Sequence, residues 1–171
     1  MTATERQLAL DGLSGSRERL FESVDRLTPA QWQFRPAPDA WSISLCAEHL
    51  VLVETRVVGN LRPGNEGTKP KRDMTIPRTV PDRSVKVQAP GRVVPKGEFA
   101  TPADWRPHFE AVRERSIEWF QAQAEPRAFS LEHMVFGPLD GYQWMLFLTA
   151  HVDRHLLQIA EIRAANGYPA A

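Results

Sequence analysis

The sequence has a single cysteine, Cys46, so an intrachain disulfide is excluded. It has no net charge, because 21 Lys and Arg balance 21 Asp and Glu. Without a basic excess it lacks the electrostatic footprint that nucleic acid or an anionic membrane surface would favour. No apolar run approaches the ~18 residues needed to cross a bilayer, so no membrane span is expected. The opening residues, Met1 to Gln7, carry no apolar stretch of the kind a secretion signal needs, and a cytoplasmic protein is the expectation. There are no internal repeats. What is present suits one globular domain over residues 1–171, with an apolar fraction of 42% and a charged fraction of 25%.

Four long amphipathic helices can be read from the spacing of apolar residues. The first runs from about Thr4 to Leu27, with Leu13, Leu20, Phe21, Val24 and Leu27 on its stripe. Gly12 and Gly15 each cost about 1 kcal/mol relative to Ala in a helix, and either weaken its first half or mark close packing. Thr28-Pro29-Ala30-Gln31 is a capping box with Pro at the first helical position, opening a short turn that carries Trp32. Ser42 or Ser44 caps the second long helix, which runs to about Leu61. Leu45, Cys46, His49, Leu52, Val53 and Arg56 share one face of it. Thr101 to Asp104 caps the third, which runs to about Ala124 with Trp105, Phe109, Val112, Trp119 and Phe120 buried. Phe129 to Gly137 reads as a connector. Asp140 to Gln143 is a capping box for the fourth helix, stopped by Gly167 and Pro169.

Residues 62–100 differ in character. They hold six of the fourteen prolines, and nine Lys and Arg against four Asp and Glu. No helical period survives, so an ordered or semi-ordered loop over one end of the bundle is expected. The fold class is therefore all-α: a four-helix bundle with a long crossover loop between its second and third helices.

The chemistry concentrates in the fourth helix. Trp144, Leu148, His151, His155, Ile159 and Ile162 recur at spacings of three and four and share one face. His151 and His155 stand one turn apart on it, close enough to offer a ring nitrogen each to one metal ion. Spacing alone does not separate this from a pair of hydrogen-bonded core histidines. His49 is a third imidazole on a core-facing stripe. Three His on facing helices match the way bundles build metal sites, and three imidazoles with an open position match a catalytic zinc site.

Two motifs add a resemblance. Trp41-Ser42-Ile43 followed by Glu48-His49-Leu50, with His151-x-x-Arg154-His155-x-x-Gln158-Ile159 near the C-terminus, resembles the DinB/YfiT-like superfamily. It is similar in particular to the branch of metal-dependent hydrolases and bacillithiol S-transferases. The resemblance spans essentially the whole chain. It implies a four-helix bundle, one divalent ion (zinc or nickel) per chain on His49, His151 and His155, and a homodimer.

Cys46, one turn before His49, suits either a soft-metal ligand or a buried apolar thiol. Gln158 is placed to orient a ligand or to make an ordinary polar contact, and Arg56 to hold a substrate carboxylate or a surface ion pair. Glu48 and Asp153 point away from the ligand face, so neither is assigned as a general base. His108 and His133 fall off the pattern, and Trp41 reads as a core plug. The function expected is metal-dependent activation of a small thiol for transfer to an electrophile. Metal-dependent hydrolysis and a non-catalytic metal-binding dimer are the alternatives.

Overall fold

A computed structural model describes residues 1–170. Helix α1 spans Ala3–Val24 and the short α2 Pro29–Gln33; α3 spans Ile43–Asn60, α4 Arg72–Thr79, α5 Pro102–Ala122 and α6 Gly141–Arg163. The expected caps all form. Thr28 with Gln31, Thr101 with Asp104 and Asp140 with Gln143 make reciprocal capping boxes, and Ser42 accepts from the Leu45 amide at the start of α3. Each satisfies amides that the first helical turn leaves without partners.

The bundle consists of α1, α3, α5 and α6. Helix α6 packs against α1 and α3, and α5 packs against the same two, so the order around the bundle is α1, α6, α3, α5. Gly12 marks close packing, as one of its two readings held: a Cβ there would lie 3.0 Å from Thr149 Oγ1 of α6. At the centre, Arg113 of α5 grips the Glu54 carboxylate of α3 with two bonds of 2.8 Å and reaches the Leu13 carbonyl and Ser16 of α1. All of these side chains are buried, and the ion pair ties three helices together through charge-assisted bonds.

Two expectations for the connections need correction. Residues 62–100 are ordered, as one side of the expectation had it, but they are not loop throughout. They contain α4 and a 3₁₀ turn at Gly91–Val93, and α4 lies along α6 with Ile76 buried. One buried residue and Pro77 inside the helix leave too little periodicity to detect. The connector after α5 contains strands: β2 (Phe129–His133) pairs antiparallel with β3 (Gly137–Asp140), and with β1 (Arg62–Pro63), in the order β1-β2-β3. These strands are held by main-chain bonds that leave no mark in side-chain patterning. Among the described residues no helix is long and apolar enough to cross a membrane.

Candidate metal centre

Helix α3 supplies His49, and α6 supplies His151 and His155. The bundle order makes α3 and α6 neighbours, so the three imidazoles converge in one buried place, 6%, 8% and 5% exposed. Each offers a ring nitrogen, and the three nitrogens all lie within 4.8 Å of one another. Rings pack on every side. Phe147, one turn before His151, stacks on it at 5.1 Å, and Trp41 lies parallel to His155 at 6.2 Å and 5.0 Å from His49. Trp41 therefore borders the centre as well as packing, half-buried, against the core beside α3.

The hydrogen bonds define which nitrogens are free. His49 Nδ1 lies 2.7 Å from the Val93 carbonyl. A carbonyl can only accept, so Nδ1 carries the proton and Nε2 presents a lone pair. His151 Nε2 and His155 Nε2 face each other at 3.1 Å. Without a cation, one of these two must be protonated and donate to the other. Both Nδ1 atoms are buried and, among the described residues, have no hydrogen-bond partner. With metal–nitrogen distances of about 2.0–2.1 Å, two donors on one ion stand roughly 2.9–3.4 Å apart, which brackets the observed spacing. The chemistry of the donor set fits a divalent ion.

Protonation favours the same conclusion. Burial lowers His49, and it lowers His151 and His155 well below the ordinary histidine value, with the charges of neighbouring imidazoles adding to the effect. All three are neutral at pH 7 and ready to ligate without losing a proton.

A strap formed by residues 80–98 crosses this centre. Arg154 of α6, between the two histidines of its motif, donates to the carbonyls of Val80, Asp82 and Val85. Arg83 of the strap makes two bonds to Glu161 and a third to Gln158. The Glu48 carboxylate accepts from the amides of Lys96, Gly97 and Glu98 at 2.7, 2.7 and 3.0 Å. Gly97 sits at φ +84°, a conformation few other residues take, which helps aim these amides at one anion.

The other candidates fall into place. Cys46 is fully buried among apolar side chains and its thiol is pushed up to about 12, so it is a core residue and not a ligand. Gln158 makes a polar contact with Arg83. Arg56 is exposed, two turns from His49 along α3. Asp153 pairs with Arg19. His108 is exposed, as expected. His133 is not part of the cluster, but its ring meets Phe147 at 4.6 Å, and Phe147 in turn stacks on His151. The role of Val93 escaped the sequence because it is a main-chain role.

Comparison with known proteins agrees with this architecture. The uncharacterized protein YuaE of Bacillus subtilis (strain 168) is 28% identical over 150 residues, which cover 86% of this chain and 93% of YuaE. YfiT from Bacillus subtilis, described as a probable metal-dependent hydrolase with an unusual four-helix bundle topology, superposes with a TM-score of 0.65 at 10% identity. That superposition covers 99% of this chain and 91% of YfiT, and shows the shared fold. The family model for the DinB superfamily matches residues 13–159, a span that includes α3, the strap and all three histidines. The chain belongs to the DinB superfamily.

Proposed function

We propose that the protein is a metal-dependent enzyme. It binds one divalent ion, zinc or nickel, through His49, His151 and His155, and activates a small thiol for transfer to an electrophile. One observation carries the choice of thiol: three neutral imidazoles converge where both carboxylates of the neighbouring motifs are already engaged. Glu48 is held by three amides and Asp153 by Arg19. When bound, a divalent ion supplies charge that lowers the pKa of a thiol or a water at its remaining position. A thiol acidified in this way needs no protein base, whereas attack by water gains from one.

The chain's own residues do the rest. His49, His151 and His155 offer lone pairs at neutral pH. Trp41, Phe147 and the strap keep bulk water from the imidazoles. In the transfer, an S–C bond forms as the bond from carbon to its leaving group breaks. The thiol proton passes to solvent, and the leaving group departs with the bonding electrons.

The test compares apo protein, metal-loaded protein and loaded His49→Ala with several thiols and an aryl halide or epoxide. Loaded wild type should keep its rate below about pH 8, where free thiols of pKa near 8.5 run short of thiolate. The other two should follow the uncatalysed reaction. Equal rates in all three samples with every thiol would remove the transferase reading. The description of YfiT makes hydrolysis the second reading, and turnover of an ester or amide by loaded protein without thiol would favour it. The proposal includes a homodimer, as the sequence resemblance implies, and no nucleic-acid partner, as zero net charge implies. Sedimentation and a duplex titration check these two.

A further inference from the structure

His49 is the ligand that α3 contributes, and its orientation depends on a strap that belongs to neither ligand helix. The Val93 carbonyl that receives its Nδ1 proton is the last residue of the 3₁₀ turn Gly91–Val93, closed by the Val93 amide on the Pro90 carbonyl at 2.9 Å. Two residues separate Val93 from the first amide held by Glu48. They are Val94 and Pro95, both restricted in backbone conformation. Pro95 has a fixed φ, and Val94 is confined to extended backbone both by the following proline and by its branched Cβ. Its observed φ and ψ of −73° and 122° are extended. A clamp on Lys96, Gly97 and Glu98 therefore sets where the Val93 carbonyl stands.

Glu48 and His49 are consecutive residues of α3, and both reach the strap from one turn of helix. Glu48 is 2% exposed, and its two carboxyl oxygens accept from three main-chain donors. We infer that Glu48 is a positioning residue for the metal centre: by holding the amides of residues 96–98 it keeps the Val93 carbonyl on His49 Nδ1, so that His49 presents Nε2 to the ion. The inference rests on the ligand assignment above for its metal arm, and on the hydrogen bonds alone for its tautomer arm. It gives the Glu48-His49 pair a division of labour, with the acid holding the strap and the imidazole facing the ion.

The experiment uses Glu48→Gln in the full chain. Gln keeps the size but replaces one acceptor oxygen with a donor, which faces amide donors and loosens the clamp. Long-range ¹⁵N–¹H spectra of metal-free protein should show His49 wholly as the Nδ1–H tautomer in wild type and as a mixture in Glu48→Gln. Nickel and zinc affinity of the variant should fall by about 10–100-fold, the usual effect of removing an outer-shell partner. Glu48→Asp, which keeps the charge but is one methylene shorter, should fall between the two. If Glu48→Gln does not fold by circular dichroism, Gly97→Ala takes its place. It strains the φ +84° position without crowding, its Cβ meeting Leu45 at 4.0 Å, and should shift tautomer and affinity in the same direction. A wild-type tautomer in Glu48→Gln, or in Gly97→Ala where that variant is used, would overturn the inference. So would unchanged metal affinity with a loosened strap. If wild type binds no divalent ion, the functional proposal fails, and the tautomer arm still decides the role of Glu48.

Discussion

His133 shows how much a single side chain reports about its surroundings. Its Nδ1 accepts from the amides of Val135 and Phe136, at 3.1 and 3.2 Å, so it shapes the turn between β2 and β3. Burial, helped by the charge of Arg72, lowers this imidazole to about 4. A folded value below the unfolded value of 6.5 means that the unfolded chain takes up the proton first. The stability contributed by neutral His133 is present in full above about pH 6.5 and is lost as pH falls toward about 4. In His133→Asn an amide oxygen can replace the Nδ1 acceptor, but nothing titrates. Its urea-unfolding free energy should fall less steeply between those pH values, by up to about 1.4 kcal/mol per pH unit. Parallel pH profiles for variant and wild type would count against the assignment. The three clustered histidines move in the same direction, and proton competition for a bound ion should likewise set in below pH 6.5.

At the scale of elements, the strap is fixed by side chains of both ligand helices. Its anchors are Arg154 on three carbonyls, Arg83 on Glu161 and Gln158, and Glu48 on three amides. Between the Arg154 and Glu48 anchors lie Lys86 and Arg92, both exposed and both trypsin sites. Arg154→Ala removes an anchor without touching an imidazole. Trypsin should then cut at these two residues several-fold faster than in wild type, with the bundle still intact on a gel. Equal cleavage would mean that Arg154 does not restrain the strap. The four bundle helices and their caps were legible in the sequence because burial of one face imposes a period on residues such as Leu13, Leu20 and Phe109, and because caps need particular side chains. The strap was not. Its order comes from carbonyls and amides of ordinary residues, recognised by Arg154, Glu48 and His49 from distant helices. The same holds for the pairing of β1, β2 and β3. Of the site, the three imidazoles were visible as polar interruptions of apolar stripes. Glu48 was visible only as a residue facing away, and the packing of Trp41 against His49 and His155 was not legible because it depends on how the chain enters α3.

At the scale of the molecule, the bundle order is what turns three separated residues into one centre. Because α6 lies beside α3, residues about a hundred positions apart bring ring nitrogens within 4.8 Å of one another, in a buried place. The buried Glu54–Arg113 pair locks α1, α3 and α5 into the arrangement that makes this possible. Binding of a divalent ion at this place is tested most directly by calorimetric titration of nickel and of zinc into metal-stripped wild type and His155→Ala, with metal content confirmed by elemental analysis. The expected result is one ion per chain in wild type and loss of most of the binding in His155→Ala. Wild type that takes up neither metal, or His155→Ala that binds as tightly as wild type, would contradict the account.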